Sequence, residues 1–395
     1  MADSVSSERP IQFSLVAGGP FHALLSRLGL LGTDGLPAWR TAFILALLAW
    51  VPPAALAVAQ SLVHNGYSGW SFFGDGTVYT RYLVAVIAMV ATERLADGRI
   101  TVLINQFLQA RLLDQDAREE FRAIVDKADR QASWPLVEGI LLLLALAWSW
   151  LSFYFVSATA VSGWEEWTVG GVSRLSWAGT VAELLANPIF LFLMMRWLWR
   201  FLVWTVLLFR IARLPLQLTA VHPDRAGGLI FLAMFPGIFS GFVFALSSVV
   251  SSSLIKTMTL LAPSQLFIWF AVCGWVLFMA LIFLAPLFFF SSPLYRVREQ
   301  ALIEYGRLAQ LHHQAFHNAW IGSDKQPEEL LGHQDPSSAA DLNACVQAVL
   351  DMRVVPLDRD AILQILAAAA IPFLAVLVYQ VPLSEILKWI AGAIL

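Results

Sequence analysis

A series of apolar runs, each near the ~20 residues a helix needs to cross a hydrocarbon core of about 30 Å, most limits what this chain can become. Seven runs are read: Thr41–Val63, Thr77–Ala96, Pro135–Ser157, Asn187–Phe209, Leu229–Val250, Leu266–Phe290 and Ala361–Tyr379. In lipid every backbone polar group must be satisfied internally, so each run is expected to be helical. The expected fold is all-α: a polytopic membrane helix bundle of about seven transmembrane helices with a small helical cytoplasmic layer. Charged residues make up 13% of the 395 positions, about half the share in soluble domains. Sixteen Trp and 27 Phe suit lipid-facing and interfacial positions.

Lys and Arg assign the orientation, because they accumulate on the cytoplasmic side. With the N-terminus inside, 19 of the 25 basic residues fall on cytoplasmic segments. Arg81, Arg174, Lys256 and Lys388 fall outside, and Arg196 and Arg200 lie within the fourth run. The odd number of crossings then places the C-terminus outside. Residues 1–20 lack the apolar core and cleavage site of a signal peptide, so the first span is expected to act as an uncleaved signal.

The chain divides on this basis into a cytoplasmic N-terminal segment (1–40), spans one and two (41–96), a cytoplasmic amphipathic helix (97–134), spans three to six (135–290), a cytoplasmic helical segment with a polar loop (291–360), and span seven with an outer interfacial helix (361–395). In the 97–134 segment Ile100, Leu103, Ile104, Phe107, Leu108 and Leu112 recur at helical spacing. A second amphipathic helix is expected from Leu294 to about Ile321, a polar loop over 322–338, and a short helix over Ala339–Met352. Beyond span seven, Leu383, Ile386, Leu387, Ile390 and Ile394 form one apolar stripe, expected to lie on the outer interface.

Arg196 and Arg200 are the leading candidates for chemistry. They are four residues apart and share a helix face. An arginine at mid-membrane costs ~2.5 kcal/mol or more, so it must face a protein interior or a wet cavity. They can line an anion-attracting path, snorkel to an interface if the span starts earlier, or pair with the acids Glu93, Glu138 and Glu183. Those acids are themselves candidate pathway residues, as carriers of protons or ligands of cations. On span five, Gly237, Gly241 and Ala245 stand four apart and suit close helix packing, within or between subunits. Pro236 is expected to kink that helix. His312, His313 and His317 fall on the cytoplasmic helix after span six. Two imidazoles four apart do not complete a metal site, so no metal is assigned.

The loop between spans four and five contains His222, Asp224 and Arg225 in the string His-Pro-Asp-Arg-Ala-Gly-Gly-Leu. Physically this is a turn feeding a helix, with Asp224 suited to the helix N-terminus. The string resembles one in uncharacterised bacterial multi-pass membrane proteins. The resemblance implies a bacterial inner-membrane protein and carries no activity or ligand. A structural turn and a ligand or gating role both stay open for these three residues.

Enzymatic motifs are missing from the sequence. No HExxH, Walker loop or GxGxxG precedes a helix, and no His falls within a span. The cysteines, Cys273 and Cys345, form no CxxC pair. No cofactor is implied, and a net charge of −3 argues against nucleic acid. The expectation is a channel or transporter for ions or small solutes, anions among them, with the intramembrane Arg and Glu lining a path. The alternative is a non-catalytic scaffold or sensor subunit that binds a cytoplasmic protein through its helices. Its partners are then the lipid bilayer, further copies of the chain as a homo-oligomer, and that cytoplasmic protein.

Overall fold

The computed structural model describes residues 11, 13–15, 18–29, 38–64, 67–159, 163–169, 172–321 and 335–380. Over these the chain is almost entirely helical. The helices are α1 (Gly19–Arg27), α2 (Ala38–Val63), α3 (Gly76–Val78, the π-helical Tyr79–Ala85 and Val86–Gln109), α4 (Gln115–Ala132) and α5 (Pro135–Thr159). Then come the hairpin β1 (Glu166–Val169) and β2 (Val172–Leu175), and α6 (Trp177–Val181, the π-helical Ala182–Ala186 and Asn187–Ile211). The chain continues as α7 (Ile230–Leu261), α8 (Gln265–Ile321), α9 (Asp335–Leu350) and α10 (Arg359–Gln380).

Six helices among the described residues are long and apolar enough to cross a membrane: Trp39–Val63, Gln115–Ser152, Trp177–Ile211, Ile230–Leu261, Gln265–Ile321 and Arg359–Gln380. The chain is a multi-pass helical membrane protein. The expected second span falls on α3, which is unbroken from Gly76 to Gln109 but not among the six. α3 carries Arg81 and Glu93 and packs against α2 and α7. Glu93 meets two arginines and Arg81 meets Asn187, so these two charges face protein partners rather than lipid.

Several helices outrun the expected spans. α6 starts at Trp177, ten residues before the expected start of span four, and α7 runs to Leu261 rather than Val250. α8 is a single helix of 57 residues, about 85 Å at 1.5 Å per residue, so its second half projects from the bundle. Proline marks the irregular turns. Pro286 lies in a 3-10 turn, Ala285–Phe290, and Pro372 in another, Ile371–Phe373. Pro236 stands in the first turn of Phe235–Ile238, just after the 3-10 turn Ile230–Met234, where its missing N–H breaks no helical bond, and the helix is interrupted once more at Phe239 before resuming at Ser240.

The main core runs from the membrane into the basic-rich pole, the end carrying α4, the loop after α6 and the second half of α8. There the amphipathic reading of 97–134 holds: Ile100, Leu103, Ile104, Phe107 and Leu112 are buried, and Leu108 is packed against them. Phe121 and Val125 of α4 close over this stripe. The opposite end is the hairpin pole, where a smaller core gathers Ala57, Phe72, Val78, Trp164 and Ala178. The expected polar loop falls mostly, and the expected interfacial helix wholly, outside the described residues.

Candidate functional site

Arg196 and Arg200 sit on one face of α6, only 3% and 2% exposed. Glu93 of α3 and Glu138 of α5 meet them. Arg196 donates from Nη1 to Glu93 Oε1 at 3.0 Å and from Nε to Glu138 Oε1 at 3.0 Å. Arg200 Nη1 reaches the same Glu93 oxygen at 2.6 Å. Of the readings open for the two arginines, the geometry matches pairing with membrane acids. Two acids face two arginines, so the cluster offers no surplus positive charge to a passing anion.

Part of the N-terminal segment lies against this cluster. Phe21 N, in the first turn of α1, donates to the second Glu138 oxygen at 2.9 Å. Gly19, with φ +82°, presses on that carboxylate so closely that a Cβ there would collide with it. The Phe21 ring lies 4.9 Å beneath the Arg196 guanidinium. Upstream, Ile11 exchanges backbone hydrogen bonds with the Asn105 side chain. Ser14 donates to Asp97 and Asp129, and Phe13 is buried beside Trp204. Residues 11, 13–15 and 18–28 thus form a strap across the basic-rich ends of α3, α4, α5 and α6. Nothing in the sequence pointed to it, because the segment has no periodicity and its partners are about a hundred residues away.

Glu183 stands apart from the arginines, toward the hairpin pole. Its carboxylate accepts from Ser149 and Ser152 of α5, each at 2.9 Å, and from Asn187 Nδ2 at 2.7 Å. Asn187 Oδ1 in turn accepts from Tyr82 OH at 2.8 Å and Arg81 Nη1 at 3.3 Å. Glu183 and the Arg81–Tyr82 pair both lie in π-helical turns, Ala182–Ala186 and Tyr79–Ala85. Wide turns of this kind re-aim side chains and recur at functional sites.

Arg81 leads outward from this network. It lines a cavity of about 550 Å³ that shares Thr77, Glu165, Lys256 and Leu260 with a neighbouring one of about 480 Å³. Together they form a vestibule at the hairpin pole. At its wall, Lys256 Nζ bonds Asp75 Oδ2 at 3.0 Å, and Trp164 Nε1 bonds the same oxygen at 3.1 Å. Burial works against the Asp75 carboxylate, but its bonds with Thr77, Lys256 and Trp164 outweigh it and hold the pKa below its ordinary value. Asp75 reads from sequence as a turn residue, and it does accept from Thr77 N at 2.9 Å. Its pairing with Lys256, 181 positions away, has no sequence signature.

His222, Asp224 and Arg225 form a tied turn. The Asp224 carboxylate accepts from the backbone N–H groups of Ala226, Gly228 and Ile230, capping the start of α7. Burial pushes its pKa up, but those three bonds and His222 outweigh it and leave it lowered. Arg225 takes the left-handed region at φ +56°, followed by Gly227 and Gly228 at positive φ, and its carbonyl accepts from Arg353 N at 2.7 Å. The loop therefore fastens α7 to the segment before α10, which matches the structural-turn reading.

The small-residue seam is used within the chain. Gly241 lies against Thr92 of α3 and Gly237 against Gln364 of α10, each with no room for a Cβ, and Ala245 is fully buried. His313 Nε2 lies 3.1 Å from Asn343 Oδ1 of α9, and the His312 and His313 rings meet edge-on at 6.0 Å. No group of three or more potential metal ligands occurs among the described residues.

Compared with family models, curated proteins and solved structures, the chain matches none.

Proposed function

We propose that this protein moves a small solute across the membrane, entering through the vestibule at the hairpin pole. The basic-rich pole faces the cytoplasm, by the bias of Lys and Arg, and the resemblance of the His222–Leu229 loop implies a bacterial inner membrane. The observation that carries the reading is the continuity from vestibule to membrane interior: Arg81 lines the cavity, bonds Asn187, and Asn187 holds Glu183. A carboxylate joined to the cavity through Asn187 and Arg81, and set in a π-helical turn, suits a proton or ion relay. At the cytoplasmic end, the strap and the Arg196–Glu93–Glu138–Arg200 cluster act as a closed gate. The vestibule is thus open to the outside and shut inside, one of the two states that alternating access requires.

A second reading keeps the protein as a scaffold. It is favoured by the projecting half of α8, which presents Ile303, Leu308 and Leu311 at the surface beside α9 and suits a cytoplasmic protein partner. Flux separates the two readings. Purified protein in liposomes, loaded with a pH-sensitive dye and challenged with a panel of small solutes, is expected to couple solute entry to a dye signal. Glu183→Gln is expected to reduce the rate at least tenfold with folded yield unchanged. Absence of flux for the whole panel in correctly folded vesicles sinks transport and leaves the scaffold.

A further inference from the structure

Four ionisable side chains line the vestibule: Asp75 and Glu165 against Lys256 and Arg81. Three of them are engaged. Asp75 is bonded by Thr77, Trp164 and Lys256, and Arg81 reaches Asn187. Glu165 differs, since its carboxyl has no hydrogen-bond partner among the described residues while its own backbone carbonyl is taken by Ser176 N. A carboxyl at the edge of two adjoining cavities, beside two cations and bonded to neither, is placed to exchange its charge with that of a guest.

We propose that the vestibule binds small organic carboxylates, each taken up together with a proton on Glu165. The inference rests on the transport reading but concerns binding, which can be measured without flux. The charge count supports it. With Glu165 ionised, the four lining groups sum to zero. With Glu165 protonated, Lys256 and Arg81 exceed Asp75 by one charge, which a guest carboxylate restores. A cationic guest would instead add its charge to a site that is already neutral with Glu165 ionised. The hydroxyls of Thr77, Ser253 and Thr257 line the cavity but donate within the chain, to Asp75, the Val249 carbonyl and the Ser253 carbonyl, so Lys256 and Arg81 are the groups left to meet a carboxylate. Leu260 and Leu261 provide an apolar wall, and the volume suits an organic anion rather than a halide.

The groups acting on Glu165 come from every side. Burial is the largest influence and raises its pKa. Asp75 and Glu183 push the same way, while Lys256 of α7 and Arg81 of α3 pull against them, and the result stays raised. A raised carboxyl keeps its proton to higher pH than an ordinary glutamate does, so binding strengthens as pH falls. One proton per ligand gives about tenfold per pH unit above the Glu165 pKa.

The test uses full-length protein in nanodiscs and radiolabelled benzoate as the probe, at pH 5.5 and 7.5. Wild type is expected to bind at pH 5.5 and at least tenfold more weakly at pH 7.5. Arg81→Gln and Lys256→Gln are expected to lose binding by tenfold or more. Glu165→Gln, a permanently protonated mimic, is expected to bind at pH 7.5 as wild type does at 5.5. Absence of benzoate binding to wild type at either pH overturns the proposal, as does binding indifferent to Lys256→Gln and Arg81→Gln. A pH dependence that persists in Glu165→Gln overturns the proton's role. Benzoate binding without flux would refute transport and leave this site standing.

Discussion

At the scale of single residues, the central object is the buried ionic cluster. Its arginines were legible in the sequence from their spacing on one helix face, and Glu93 and Glu138 from their places near the same end of neighbouring spans. Which acid meets which base was not, because that depends on how α3, α5 and α6 rotate against one another. Removing one member of such a cluster strands its partners in a low-dielectric site. Arg196→Met is expected to destabilise the protein by about 3 kcal/mol, read as a lowered unfolding midpoint in detergent. Replacing all four charges with Leu or Met is expected to recover most of that loss. If it also leaves flux intact, the cluster is architecture and not gate. Asp224 gives a second test. Its pKa lies below the ordinary carboxylate value of 3.8, so its stabilisation is present above the unfolded pKa and disappears as pH falls through the folded one. Asp224→Asn is therefore expected to cost about 1 kcal/mol at neutral pH, as for loss of a helix cap. The difference from wild type should vanish as acid protonates the native carboxylate below about pH 4, measured by thermal unfolding across pH.

At the scale of elements, helix identity and the amphipathic layer were readable, since both rest on periodicity within a segment. Departures from regular helix were only partly so. Turns fall at the prolines 236, 286 and 372, whereas α2 runs unbroken through Pro52 and Pro53. Of the π-helical turns, Ala182–Ala186 lies just ahead of Pro188, whose missing N–H leaves the Leu184 carbonyl without its helical donor. Tyr79–Ala85 has no proline beside it, and we attribute it to tertiary packing, since it carries Tyr82 toward Asn187. The Gly237–Gly241 seam was readable as a packing surface but not as to its partner. Because Thr92 and Gln364 fill it from within the same chain, it provides no argument for a homo-oligomer. Gly241→Val is expected to push α7 away from α3 and destabilise the monomer fold by about 1–3 kcal/mol, the usual range for overpacking. A change of oligomeric state at unchanged stability, seen by light scattering in detergent, would place the seam between subunits instead.

At the scale of the whole molecule, hydrophobicity alone established a multi-pass helical membrane protein. The distribution of Lys and Arg supplied an expected orientation, and the two poles of the fold differ in kind: a helical layer and strap at the basic-rich end, a hairpin and vestibule at the other. The strap and vestibule are products of the assembled fold, joining residues up to 181 positions apart, which is why sequence patterns did not disclose them. If solute enters through an outward-facing vestibule, the vestibule wall must be reachable from outside. This can be measured in protein in which Cys273 and Cys345 are replaced by Ser. Thr257→Cys is added at the vestibule wall, and oriented vesicles are treated with a membrane-impermeant maleimide. Rapid labelling is expected from the extracytoplasmic side and none from the cytoplasmic side. Labelling only from the cytoplasmic side, or from neither, would contradict entry from outside.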